Sequence, residues 1–189
     1  MEITRAEKKY QELCNKASDI NEHLPTLKRY ALECDHITEM GVRGIVSTYA
    51  FIAGLPKILR SIDIDHPSKC GGDLSLVESI ASEVGISFEF VQGSTLDMKI
   101  EETEILFIDT KHNYYQLREE LRLHGNMSSK YIIFHDTTTF GRRNEFPQAG
   151  VQGLMPAIEE FVGLNPHWKY DKVFHNNNGL LVLKRYDNE

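Results

Sequence analysis

The sequence predicts an α/β fold built on a mostly parallel sheet wrapped by helices. Strand-like and helical stretches alternate five times between about residue 34 and residue 135, the pattern of a parallel sheet with helical crossovers. Two of the strand-like runs, Ile105-Leu106-Phe107-Ile108 and Tyr131-Ile132-Ile133-Phe134, are nearly continuous in apolar residues, as strands buried on both faces are. Near the end, Asn176-Asn177-Asn178-Gly179 joins two further strand-like segments. This hairpin signal closes the sheet with an antiparallel pair.

The first element is a mostly polar helix from about Thr4 to Lys16. A second helix, Ile20 to Leu32, takes Asp19 as its cap and accommodates Pro25 only because proline lies near its first turn. These two helices pack over the sheet or the substrate mouth, ahead of a short buried strand over Cys34–Glu39. The run Thr38-Glu39-Met40-Gly41-Val42-Arg43-Gly44 then turns tightly into a helix that opens near Gly44 and reaches Ala53. Gly41 and Gly44 let the backbone approach a ligand, and the helix start offers free N–H groups. Glu39, at the strand end, faces this turn and can take a hydroxyl or an ammonium. Gly54-Leu55-Pro56 stops the helix. The second strand, Lys57–Ile64, ends among the carboxylates Asp63 and Asp65. Strand, glycine turn, helix, strand and acid in that order is the logic of a nucleoside site at a sheet's carboxyl edge.

Pro67–Gly72 is a loop, Asp73 caps a helix through Val84, and Gly85 closes it. Ile86–Val91 alternates as a third strand and runs into Gln92-Gly93-Ser94. The fourth strand, Glu104–Asp109, ends on Asp109. A helix follows from Tyr114 to Leu123, stopped by Gly125. Lys130–His135 is the fifth strand, ending on His135-Asp136. Thr137–Gly153 carries glycines, a proline and two arginines, and its length favours a functional loop such as a lid. Ala157–Leu164 is a short helix ended by Asn165-Pro166, and Trp168–Phe174 and Leu180–Lys184 form the hairpin.

A chain of 189 residues has the length of one domain with a sizeable core. It divides into a helical cap over 1–33 and an α/β core over 34–189. Hydrophobic content of 41% with 26% charged residues is that of a soluble globular protein. A net charge of −7 argues against a nucleic-acid backbone or an anionic membrane as the main partner. Cys14, Cys34 and Cys70 show no paired spacing and read as free thiols in a reducing compartment. The charged start lacks the apolar run of a signal peptide, and no window reaches a membrane-spanning length. A cytoplasmic protein with a small-molecule partner is expected, and a homo-oligomer is compatible with this composition.

Several of these segments resemble the class I S-adenosylmethionine-dependent methyltransferases over roughly Cys34 to Arg185. Phe107-Ile108-Asp109-Thr110-Lys111-His112-Asn113-Tyr114 is similar to the Asp-x-x-His-x-Tyr segment of a small-molecule O-methyltransferase family. Tyr131-Ile132-Ile133-Phe134-His135-Asp136-Thr137 is similar to that family's next strand, which ends in His-Asp. Gly150-Val151, Ala157-Ile158-Glu159-Glu160-Phe161 and Asn165-Pro166-His167-Trp168 match its tail. The resemblance implies a Rossmann-like sheet of seven strands, helices on both faces and a last pair forming an antiparallel hairpin. It implies an S-adenosylmethionine-dependent enzyme, and related enzymes methylate sugar hydroxyls, some with a divalent metal. Carried over, Glu39, Gly41 and Gly44 fall on the cofactor turn, Asp63 on the ribose acid with Asp65 as a near rival, and Gln92, Gly93 and Ser94 along the adenine. Asp109 counts both to the cofactor and to the ion. Asp109, His135 and Asp136 fall where metal-dependent members hold that ion, and His112 falls on the suspected general base. The turn is sparser in glycine than many methyltransferases show.

The residues themselves support chemistry at this place. Asp109 and His135-Asp136 end two consecutive strands, so both open on the same crevice. Two carboxylates and an imidazole there suit a divalent ion: carboxylate oxygens favour Mg²⁺ or Mn²⁺, and histidine pulls toward Mn²⁺, Fe²⁺ or Zn²⁺. Such an ion would lower the pKa of a substrate hydroxyl, and His112 could take its proton. Catalysis is therefore expected from His112, Asp109 and Asp136, on the small, sugar-like acceptor that the resemblance implies. The other readings are a metal-independent N- or O-methyltransferase, a nicotinamide-dependent dehydrogenase, and a non-catalytic nucleoside-binding module. The bland alternatives are that Asp109 caps a helix, Asp136 is a turn residue, and His112 lies on the surface.

Overall fold

The computed structural model describes residues 3–146 and 150–186. The chain forms two compact units, Met1–Ser94 and Thr95–Glu189.

In the first unit, α1 (Arg5–Cys14) starts on Thr4, whose hydroxyl accepts from Glu7 N at 3.2 Å. It buries Ala6, Tyr10 and Leu13, residues spaced to lie on one helical face. The second helix, α2 (Leu24–Ala31), is shorter than expected because a 3₁₀ turn over Asn21–His23 precedes it. Asp19 does not cap it and instead pairs with Arg43. Strand β1 (His36–Met40) leads to the turn, and α3 opens at Ser47 and runs to Ala53. It begins three residues later than expected because Arg43 and Ile45 hold left-handed φ of 46° and 64°, which a right-handed helix cannot contain. All seven α3 residues are buried, and its closing Gly54 lies so near Ala31 that a Cβ would come within 2.3 Å of the alanine's own. Strand β2 (Ile58–Asp63), helix α4 (Leu74–Glu83, capped by Asp73) and strand β3 (Ser87–Gln92) complete the unit. Its strands are parallel in the order β3-β2-β1, with Glu39 opposite Ser61 and Asp63 opposite Gln92.

In the second unit, β4 (Thr103–Ile108) and β5 (Ser128–His135) pair in parallel, joined by α5 (Tyr114–His124). Ile105–Ile108 and Tyr131–His135 are buried throughout, as their unbroken apolar character requires. Helix α6 (Met155–Leu164) starts two residues earlier than expected, with Pro156 in its first turn, where the missing N–H costs nothing. Strands β6 (Trp168–Phe174) and β7 (Leu180–Arg185) form the antiparallel hairpin, and β7 lies between β6 and β5, antiparallel to both. The hairpin turns through Asn177, Asn178 and Gly179, all at positive φ (44°, 70° and 97°). Asparagine and glycine are the residues that tolerate this region. Of the expected loop Thr137–Gly153, residues 147–149 lie outside the described residues. Among the described residues no helix is long and apolar enough to cross a membrane.

Candidate functional site

The glycine turn of the first unit is organised by two carboxylates. Glu39 is fully buried, and its oxygens accept from Ser47 Oγ (2.5 Å), Thr48 Oγ1 (2.8 Å) and Ser61 Oγ (2.6 Å). A buried carboxylate needs such donors, and these hydroxyls occupy the oxygens expected to take a cofactor group. Glu39 thereby ties β1 to β2 and to the first turn of α3. Asp63 closes on the turn itself. Its Oδ2 accepts from Val42 N (2.7 Å) and Arg43 N (2.9 Å), and its Oδ1 from Asp65 N (2.9 Å). The rival Asp65 points elsewhere, in an exposed ion pair with Lys69. Gly93 N donates to Asp63 O at 2.8 Å and Gln92 Nε2 to Ile64 O at 3.3 Å, so Gln92-Gly93 lies against the end of β2, with Ser94 following. Gly41 sits at φ 85°, a conformation that calls for glycine. Gly44 does not need it: its φ is not left-handed, and a Cβ there would meet Cys70 O at an ordinary 3.5 Å.

The second unit carries an acid–histidine cluster where β4 and β5 end. Asp109 does not cap α5, because Asn113 Oδ1 takes Gln116 N at 3.0 Å and does so instead. His112 is largely buried, with its ring stacked on Phe140 at 4.8 Å and 3°. Its Nε2 stands 2.9 Å from Asp136 Oδ2 and 3.3 Å from Asp109 Oδ1. His135, almost wholly buried, places Nδ1 3.4 Å from Asp109 Oδ2 and from Asp136 Oδ2, while its Nε2 meets Asn177 O at 3.2 Å. With Nε2–H directed to a backbone carbonyl, Nδ1 turns toward the carboxylates, the orientation of a ligand histidine. Asp136 holds a left-handed φ of 60°, and its carbonyl accepts from Phe140 N at 2.9 Å, so it is a turn residue as well as a cluster member.

The charges interlock. Burial alone would lower the histidine pKa values, but hydrogen bonds and charges from Asp109 and Asp136 outweigh it and push both His112 and His135 up to about 10. Burial alone would raise the two aspartates, and the same histidines pull them below the usual carboxylate range.

The cluster fits a divalent ion. Ligand atoms of Asp109, His112 and Asp136 lie within 4.8 Å of one another, and the buried Oδ1 of Asp136 has no hydrogen-bond partner among the described residues. Two carboxylates, with two imidazoles that would give up their protons to it, leave a charge that a divalent cation balances. The ion set expected from sequence was Asp109, His135 and Asp136, with His112 apart as a base. The geometry draws His112 into the same set, with His135 at its edge.

Other contributors carried no legible signal. Glu145 faces His112 Nδ1 at 3.3 Å, and its backbone N donates to His112 O at 3.1 Å. The hairpin turn braces the end of β5: Asn178 O accepts from Thr138 N (2.9 Å) and Thr139 N (3.0 Å). In sequence, Asn176–Gly179 announces only a turn, and Glu145 looks like any loop acid.

No family model matches the sequence, and no curated protein matches it at a significant level. Solved structures match nearly the whole chain. The O-methyltransferase from Bacillus cereus in complex with SAH superposes with a TM-score of 0.66 at 13% identity, covering 98% of this chain and 93% of its own. A SAH-bound methyltransferase from Podospora anserina gives 0.57 at 13% identity, covering 98% and 89%. The O-methyltransferase TomG from Streptomyces achromogenes, involved in tomaymycin synthesis and bound to SAM, gives 0.59 at 15% identity, covering 97% and 88%. The fold is thus Rossmann-like α/β. Within that class it is the fold of the class I methyltransferases, as the motif resemblance implied.

Proposed function

We propose that this chain is an S-adenosylmethionine-dependent O-methyltransferase, assisted by a divalent metal, acting on a hydroxyl of a small polyhydroxylated, sugar-like acceptor. The observation that carries the reading is the convergence of two carboxylates and two imidazoles at the ends of adjacent strands, in a chain with the methyltransferase fold. The two compact units are taken as one methyltransferase domain over 1–189, with residues 1–33 as its helical cap. Gly41, Asp63, Gln92, Gly93 and Ser94 serve the cofactor, with Asp63 as the ribose acid. Gly44 and Asp65 keep lesser parts, and Glu39 supports the turn from below.

Methyl transfer to oxygen forms a C–O bond, breaks a C–S bond and releases the hydroxyl proton. A neutral hydroxyl is a weak nucleophile toward a sulfonium methyl group, so removing that proton matters. A divalent ion, when bound, supplies the positive charge that lowers the hydroxyl's pKa. Asp109 and Asp136 provide the negative charge that holds it, and His112 and His135 add nitrogen donors. Both ring nitrogens of His112 face carboxylates, Nε2 toward Asp109 and Asp136 and Nδ1 toward Glu145. That suits a held ligand better than a base with an open edge. In-line placement of oxygen, methyl carbon and sulfur supplies much of the remaining acceleration.

A cleft of about 410 Å³ in the second unit, its lining mostly apolar with a few polar groups, leaves room for a small acceptor. Lys111, Asn113, Tyr115, Gln116, Asn144 and Phe146 line it, offering amides, an ammonium and aromatic rings. A second reading, a metal-independent N- or O-methyltransferase, is favoured by the 2.9 Å contact of His112 Nε2 with Asp136, a pairing that also supports a histidine base.

The test is methyl transfer from S-adenosylmethionine to a panel of polyhydroxylated acceptors, with Mn²⁺ or Mg²⁺ and again with chelator. Turnover abolished by chelator and restored by metal is the expected result. Turnover indifferent to chelator transfers the assignment to the second reading, and cofactor binding without turnover on any acceptor leaves a nucleoside-binding module.

A further inference from the structure

We propose that Glu145 is the positioning residue of His112, the group that backs the ring from Nδ1 and keeps Nε2 turned toward Asp109 and Asp136. The proposal rests on the ion-site reading of the cluster but stands on separate contacts. An imidazole rotated by half a turn about its Cβ–Cγ bond presents carbon where nitrogen stood. A ligand histidine is therefore useful only if something outside the ion selects the orientation. Asp109 and Asp136 both face Nε2 and favour that edge from one side, while Nδ1, on the far side of the ring, faces Glu145.

Glu145 grips the residue from the opposite side. Its Oε2 faces Nδ1 at 3.3 Å and accepts from His112 N at 3.4 Å, while Glu145 N donates to His112 O at 3.1 Å. One carboxylate thus touches ring and backbone of the same histidine. Nδ1 has no hydrogen bond of good geometry among the described residues, so Glu145 is poised at a distance that tightens when the ring is drawn toward an ion. Phe140 covers the ring face, and Phe140 N is tied to Asp136 O at 2.9 Å, so the loop that carries Glu145 is anchored to the cluster it serves. A carboxylate accepting from the remote nitrogen also makes the near nitrogen a stronger donor.

The experiment compares the full chain with Glu145→Ala and Glu145→Gln. Gln keeps a carbonyl that can accept from Nδ1–H, and Ala does not. The first readout, in metal-free protein, is the solvent-shielded Nδ1 proton of His112, covered by the carboxylate at 3.3 Å, in ¹H–¹⁵N spectra of the ring. It is expected in the parent chain and in Glu145→Gln, and lost in Glu145→Ala. The second is Mn²⁺ affinity by calorimetry, expected to fall about 10- to 100-fold in Glu145→Ala and only about 3-fold in Glu145→Gln. S-adenosylmethionine affinity and the melting temperature, measured alongside, should stay close to the parent's. Retention of both the ring signal and the Mn²⁺ affinity in Glu145→Ala overturns the proposal, and so does an equal loss in the two variants. If the parent chain binds no Mn²⁺, the ion reading fails, and the ring signal alone still decides the role of Glu145.

Discussion

Asp136 bears on most of the cluster's chemistry: it contacts both histidines through Oδ2, keeps Oδ1 unpartnered, and sits in a strained backbone conformation. Asp136→Asn should lower kcat by at least about 100-fold, a typical loss when a charge-stabilising group is removed. S-adenosylmethionine affinity should be nearly unchanged, because the turn residues proposed for the cofactor belong to the first unit. An equal loss of cofactor binding, measured by calorimetry, would count against the role given to Asp136. Asp63 predicts the opposite pattern. It accepts two amides of the turn, so Asp63→Ala should weaken S-adenosylmethionine strongly and also loosen the turn, visible as faster amide exchange at Val42 and Arg43. Unchanged affinity in that variant would remove Asp63 from the cofactor.

The same residues set a pH dependence for the metal-free protein. His112 and His135 are raised in the fold from the ordinary 6.5 to about 10. Their contribution to stability is complete below pH 6.5 and is lost as pH rises through about 10. Asp109 and Asp136 are lowered from 3.8, so their contribution is present above that value and declines as pH falls below it. Chelated protein should therefore melt highest between about pH 4 and 6.5 and lose stability progressively toward pH 10. Bound metal should flatten the alkaline arm, since it replaces the imidazole protons. A melting temperature that rises between pH 7 and 10 in chelator would contradict the cluster's electrostatics.

At the scale of elements, the hairpin turn is a brace for the cluster. A Cβ on Gly179 would stand 2.4 Å from Thr138 N, and the residue holds φ 97°. Gly179→Ala should cost roughly 2–4 kcal/mol of stability, combining backbone strain with the clash. It should also weaken divalent-ion binding, because the end of β5 is what must move. A variant that melts like the parent and binds Mn²⁺ equally well would show that the brace is dispensable. The glycine turn makes a related point. Two of its left-handed positions carry Arg43 and Ile45 rather than glycine, and a β-branched residue at φ 64° is a rare outlier. The burial of Ile45 and the amide contacts of Arg43 with Asp63 hold that conformation in place. Spacing shows that a turn exists, not which of its residues turn left-handed, and here Gly41, Arg43 and Ile45 do.

For the whole molecule, cofactor-turn residues and acid–histidine residues fall in separate compact units. S-adenosylmethionine should raise the melting temperature by the equivalent of about 2.7 kcal/mol at a hundredfold excess over Kd. A shift that appears only with metal would mean that the two sets are coupled. The sequence by itself determined the strands, the helices and the closing hairpin, to within a few residues at most boundaries. It also placed Asp109, His135 and Asp136 at strand ends, with His112 three residues beyond Asp109. This was possible because apolar runs, caps and turn residues act over a few neighbours, and strand ends in such sheets gather at one edge. Only the tertiary structure decided which acids are already engaged. Glu39 proved to accept from the hydroxyls of Ser47, Thr48 and Ser61, Asp65 to pair with Lys69, and His112 to stand against Asp109, Asp136 and Glu145. Those outcomes depend on side chains meeting across sequence separations of up to 33 residues, as for His112 and Glu145. Local pattern holds no record of such meetings, because burial and hydrogen-bond satisfaction exist only once the chain has folded.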